Sequence, residues 1–129
     1  MGILIVDDNL LSIKLAAAFL EGLGRNIFQA TSSIEGLKML GSASISLVLT
    51  NYEMPQMDGM EFATTIRRES KYKHIPIVLM TSRYDITHAA DEAYKVFDAI
   101  LHKPISCDAL LKHVKNLLCS SGIKRIKEE

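Results

Sequence analysis

Five short apolar runs punctuate the chain, at residues 3–6, 27–30, 47–49, 75–80 and 99–101. Most are apolar at consecutive positions, the pattern of a strand buried on both faces of a parallel sheet. Pro76 falls near the start of its run, where a missing N–H is tolerated. Between the runs, helical periodicity predicts helices over residues 10–23, 33–40, 60–69, 86–94 and 107–118. The first places Leu11, Leu15, Ala18 and Phe19 on one face and stops at Gly24. The second takes Ser32 or Ser33 as cap and stops at Gly41. The third pairs Phe62 with Ile66, the fourth takes Asp85 as cap, and the fifth starts at a Ser106 cap with Leu110, Val114, Leu117 and Leu118 as its stripe. Strand and helix alternate five times. This predicts an α/β fold, a doubly wound five-stranded parallel sheet flanked by five helices. Residues 1–119 form the domain, and the polar residues 120–129 either extend the last helix or form a tail.

Length and composition narrow the function. A chain of 129 residues is one domain by size. Its 15 Lys and Arg balance 15 Asp and Glu, so it lacks the basic footprint of a nucleic-acid binder. No apolar run approaches the ~20 residues of a membrane span. Cys107 and Cys119 are too few for a disulfide scaffold and read as free thiols in a reducing cytoplasm. The expectation is a cytoplasmic monomer or weak dimer.

Sites in such sheets form at the carboxyl ends of the strands. After the first strand come Asp7 and Asp8; after the third Asn51, Tyr52 and Glu53; after the fourth Thr81 and Ser82; after the fifth Lys103 and Pro104. Each has a plain reading: the aspartates cap a helix, Thr81 satisfies a loop, Lys103 is a surface lysine. Together they bring carboxylates suited to a hard cation such as Mg²⁺ onto the same edge as a hydroxyl and an ammonium suited to phosphoryl oxygens. His74, His88, His102 and His113 show no metal-ligand spacing. The basic cluster Arg67, Arg68, Lys71 and Lys73 reads as a solvated helix end.

Four segments carry a family resemblance: I-L-I-V-D-D-N at 3–9, L-V-L-T-N-Y-E-M-P-Q-M-D-G at 47–59, I-P-I-V-L-M-T-S at 75–82 and L-H-K-P at 101–104. Over roughly residues 2–119 the chain resembles the receiver domain of two-component response regulators, the chemotaxis-regulator-like fold. The resemblance implies that an aspartate ending the third strand accepts a phosphoryl group from a histidine kinase or histidine phosphotransfer protein. It implies Mg²⁺ held by Asp7, Asp8 and Glu53 (through backbone or side chain), and a phosphate contacted by Thr81 and Lys103. It also implies output through the fourth helix, fifth strand and fifth helix. The family's acceptor lies 30 residues before the hydroxyl and 52 before the lysine, which places it at position 51.

Position 51 is asparagine. An amide oxygen is a poor nucleophile and forms no acyl phosphate, so phosphorylation at Asn51 is not expected, and Mg²⁺ should bind weakly. The change is either native or engineered. Ile100 stands where the family usually has Tyr or Phe, either as plain core or as the loss of a switching ring. Glu53 and Arg83 carry opposite charge at positions that face each other in the family fold, and an ion pair across the site is expected of them.

The expected function is a phosphorelay receiver acting as a protein-interaction module, not an enzyme, with a histidine kinase, a phosphotransfer protein or a downstream output protein as partner. The alternative is a phosphorylatable receiver whose acceptor was replaced, or one using Asp8, Glu53 or Thr81. A haloacid-dehalogenase-type phosphatase would need a D-x-D pair and a longer chain. A flavodoxin-like carrier would need a phosphate loop where Asp7, Asp8 and Asn9 stand.

Overall fold

The structure is a computed structural model that describes residues 2–83, 85 and 94–128, with side chains described to residue 119. Strands β1 (Gly2–Val6), β2 (Asn26–Ala30), β3 (Ile45–Asn51), β4 (Ile77–Thr81) and β5 (Ala99–His102) form one parallel sheet in the order β2-β1-β3-β4-β5. Helices α1 (Leu10–Leu20), α2 (Ser33–Ser42), α3 (Gly59–Arg68) and α4 (Cys107–Glu128) are seen among the described residues. The helix expected over 86–94 lies, but for Tyr94, outside them.

Alternation along each strand divides the core in two. Ile3, Ile5, Leu47, Leu49, Val78 and Met80 pack on one face against Ile13, Ala16 and Leu20 of α1 and Leu110 and Val114 of α4. Leu4, Val6, Val48, Ile77 and Leu79 pack on the other against Leu40 of α2 and Phe62, Ala63 and Ile66 of α3. Burying one such side chain contributes about 1.5–3 kcal/mol, so both sheet faces demand cover.

Several boundaries and faces differ from the sequence reading. The buried face of α1 is Ile13, Ala16 and Leu20, whereas Leu11 is 76% exposed and Leu15 44% exposed. This helix is apolar nearly all round, so periodicity alone could not orient it. It ends at Leu20, and a 3₁₀ turn over Glu21–Leu23 leads to Gly24, whose φ of 69° is the left-handed stop. Helix α2 runs through Gly41 to Ser42, capped at its start by Ser32. Strand β4 begins at Ile77, because Pro76 offers only its carbonyl, which accepts from Val48 N–H at 2.9 Å.

Arg67 also departs from the expected solvated role. Its guanidinium donates to the carbonyls of Val96, Lys73 and Ile75 and to the Asp98 carboxylate at 2.9 Å. Asp98 in turn accepts from Ile77 N–H at 2.8 Å. The end of α3 is thereby tied to the beginnings of β4 and β5.

The turn after β3 is built around a close approach. Asp58 caps α3 by accepting from Glu61 N–H at 2.9 Å, and the Glu61 carboxylate in turn accepts from Asp58 N–H at 3.2 Å. Gly59 N–H donates to Tyr52 carbonyl at 2.7 Å. A Cβ on Gly59 would lie 2.3 Å from the Asn51 carbonyl oxygen and 2.9 Å from Tyr52 Cα, both backbone atoms. Gly59→Ala should therefore destabilise the domain by about 1–3 kcal/mol, seen as a lower urea midpoint. Gly41→Ala, where an added Cβ meets nothing within 4 Å, should instead stabilise it by about 0.5–1 kcal/mol in the same assay.

Candidate functional site

In the order β2-β1-β3-β4-β5, the chain leaves β1 toward one edge and returns past it to build β3 and beyond. A crevice opens at that reversal, at the carboxyl ends of β1 and β3. The residues expected from the sequence meet there. Asp7, Asp8, Asn51, Glu53, Thr81 and Lys103 line one pocket of about 420 Å³, together with Asn9, Ser82 and Arg83.

Asp7 is fully buried, yet both of its carboxylate oxygens are engaged. Oδ1 accepts from Asn9 N–H at 2.9 Å and Oδ2 from Lys103 Nζ at 2.8 Å. Lys103 Nζ also lies 3.5 Å from Ser12 Oγ. Asn9, which the sequence reading left without a role, caps α1 by accepting from Ser12 N–H at 3.1 Å. Lys103 is aimed by the sheet itself, since its N–H donates to Thr81 carbonyl at 2.8 Å. Thr81 is buried, and its hydroxyl oxygen accepts from Arg83 N–H at 3.0 Å. Thus Lys103 is no surface lysine, and the Asp7 side chain turns inward.

Asn51 ends β3 half-buried. Its Nδ2 donates to Glu53 carbonyl at 2.9 Å and reaches Asp8 Oδ1 at 3.4 Å. An amide oxygen in that place would face another carbonyl oxygen, so hydrogen bonding assigns the nitrogen there. Asp8 and Glu53 are exposed.

The expected Glu53–Arg83 pair is not formed. Arg83 instead grips Asp85, with Nε to Oδ1 at 3.2 Å and Nη2 to Oδ2 at 2.7 Å, and lies 5.0 Å from the centre of the Tyr52 ring. A carboxylate two residues away holds the guanidinium in a local fork, and the ring face adds a cation–π contact. Tyr52 also meets Tyr94 edge to face, with ring centres 6.5 Å apart. Its phenol is pushed above the usual range, chiefly by burial, with Asp58 adding to the rise. The hydrogen bond to Asp85 raises the Arg83 pKa, and the bond from Arg83 lowers that of Asp85. The sequence placed Tyr52 among the residues after the third strand but gave no sign of its ring contacts with Arg83 and Tyr94. Ile100 is half-buried and packs against the core on the α2 and α3 side.

Whether this donor set suits a divalent cation can be tested on its geometry. Both Asp7 oxygens are committed, and an N–H of Asn51 is directed at the Glu53 carbonyl. Among the described residues no group of three or more His, Cys, Asp or Glu is gathered as a metal-holding cluster. As arranged, these residues do not fit a Mg²⁺ ion without rearrangement, since the bonds from Lys103, Asn9 and Asn51 would have to give way to it.

Removing Lys103 would leave the Asp7 carboxylate buried without its partner. Lys103→Met should cost on the order of 3–5 kcal/mol of stability, much of it recovered in the Asp7→Asn/Lys103→Met double variant, as measured by urea unfolding. Arg83→Ala should let the Asp85 pKa rise toward its ordinary value in a carboxyl NMR titration. Because the folded pKa of Asp85 is depressed, its contribution to stability is present at neutral pH and lost as pH falls through that folded pKa.

Comparison with known proteins fits this geometry. The chain is 31% identical over 122 residues to the sensor histidine kinase CheAY of Helicobacter pylori, matching 93% of this chain and 15% of that protein. It is 32% identical over 120 residues to the response regulator Rre1 of Synechocystis, matching 92% of this chain and 52% of that protein. The chain thus spans about half or less of these relatives. The crystal structure of the response regulator protein TrrA from Thermotoga maritima in complex with Mg²⁺-BeF superimposes with a TM-score of 0.80 at 32% identity, covering 91% of this chain and 99% of that one. The family model for the response regulator receiver domain matches residues 3–115, nearly the whole folded core, and the chain belongs to that family.

Proposed function

We propose that this receiver domain of two-component signalling acts as a protein-interaction module whose state is not set by phosphorylation at position 51. The observation that carries this reading is Asn51 itself. It stands at the end of β3 in the same pocket as Thr81 and Lys103, where a carboxamide cannot act as the carboxylate nucleophile of an acyl phosphate. The domain is then a binding module rather than an enzyme, working in the cytoplasm. Its state is changed by a partner that binds two conformations unequally.

The surface beside the site supports a protein partner. Leu10, Leu11 and Leu15 of α1 are 59%, 76% and 44% exposed. Leu11 and Leu15 border an apolar groove of about 190 Å³ that continues to Lys103, Pro104 and Ile105. Clustered apolar side chains of this kind mark interaction surfaces. A histidine kinase, a phosphotransfer protein or an output protein is the partner class, in keeping with relatives that include a sensor histidine kinase and a response regulator. Asp8 and Glu53, exposed carboxylates lining the same pocket, are the rival acceptors.

The test is intact-mass measurement after incubation with Mg²⁺ and acetyl phosphate, beside an Asn51→Asp variant. The expected result is a phosphoryl adduct on the variant alone. An adduct on the unaltered chain would overturn the reading and shift attention to Asp8 and Glu53. If neither is modified, the departure from the family extends beyond position 51, and a constitutive binding role remains.

A further inference from the structure

We infer that the Asn51 carboxamide takes the place of a divalent cation in this site, tying the loop after β1 to the loop after β3 through its own N–H groups. The inference deepens the functional reading above and rests on it only for the role of position 51. Two oxygens that a cation would draw together, Glu53 carbonyl at 2.9 Å and Asp8 Oδ1 at 3.4 Å, both face Asn51 Nδ2. A primary amide carries two N–H groups, so a single nitrogen can serve both acceptors. The remaining carboxylate at this edge, Asp7, has Lys103 and Asn9 N–H as its own partners, at 2.8 and 2.9 Å.

An N–H and a metal ion cannot serve the same lone pair of the Glu53 carbonyl from the same direction. For a cation to use that oxygen in place of the amide, the Asn51 bond must first break and the carboxamide must rotate to present its oxygen. Asn51 is therefore a competitor of the cation, which is a stronger statement than the loss of one negative charge. Charge alone makes Asn51 and Asn51→Ala equivalent, and ligand count favours asparagine, which keeps an oxygen. Competition reverses that order, because alanine removes the bridging N–H groups and frees the Glu53 carbonyl and Asp8.

The test is a Mg²⁺ titration of the unaltered chain, Asn51→Ala and Asn51→Asp, followed by backbone amide shifts of Asp7, Asp8 and Glu53 and by the thermal midpoint. The expected order of affinity is Asn51→Asp first, Asn51→Ala next and the unaltered chain last, with Asn51→Ala binding severalfold more tightly than the unaltered chain. The Asn51 side-chain NH₂ resonances should be slow to exchange with solvent and should not move at Mg²⁺ concentrations that saturate the aspartate variant. Equal or tighter binding by the unaltered chain than by Asn51→Ala would overturn the inference, since the carboxamide would then be ligating through oxygen. So would no binding by either, since removing the bridge would have freed nothing. The acetyl phosphate experiment reads the functional proposal separately: a phosphoryl adduct on the unaltered chain defeats that proposal without altering the affinity order.

Discussion

A parallel sheet covered by helices on both faces has no room for polar chemistry along its strands. Here Ile3 to Val6, Leu47 to Leu49 and Ile77 to Met80 are buried on both sides, so polar side chains collect where the strands end. The reversal of strand order at β1 and β3 then opens those ends into a crevice. Asp7, the hydroxyl of Thr81 and the ammonium of Lys103 meet there because the sheet register delivers them. The backbone bonds from Asp7 to Ala30 and from Lys103 to Thr81 continue the ladders to the rim of the site.

Burial at that rim has a chemical effect. Asp7 has no exposure and is neutralised by Lys103, a contact made across 96 residues of sequence. Such a pair contributes little net stability when intact but is expensive to break, so it fixes geometry more than it adds free energy. Asn51 does comparable work one strand away with a neutral group. Its placement depends on the turn from Met54 to Gly59, where the buried Met54, the left-handed Gln56 and the Asp58 cap bring Gly59 against the Asn51 carbonyl.

Much of this could be read from the sequence, for reasons that differ by element. Strands β1, β3 and β4 announced themselves because burial on both faces keeps their apolar residues in unbroken runs, whereas β2, with Asn26 and Gln29 exposed, and the half-buried β5 gave shorter signals. The site residues could be located because each follows such a run directly, and the spacing from 51 to 81 and 103 matched the family. The face of α1 could not be read, because an apolar residue at nearly every position leaves no stripe to follow. Arg67 was misjudged because a cluster of cations looks the same whether its members meet water or backbone carbonyls; only the positions of Val96 and Asp98 separate the two. The Arg83–Asp85 fork was missed for a related reason. The family fold brings positions 53 and 83 near one another, but a carboxylate two residues away in the chain costs less chain entropy to reach.

Arg67 also sets the mechanics of the sheet's far half. Its hydrogen bonds to Lys73, Ile75, Val96 and Asp98 fall at the amino ends of β4 and β5, opposite the edge that carries Thr81 and Lys103. The two strands are thus tied at one end and lead to Thr81 and Lys103, which line the pocket, at the other. One arginine far from the crevice thereby holds the segments entering β4 and β5 in one alignment, and the pairing of the two strands carries that alignment through to Thr81 and His102 at the rim.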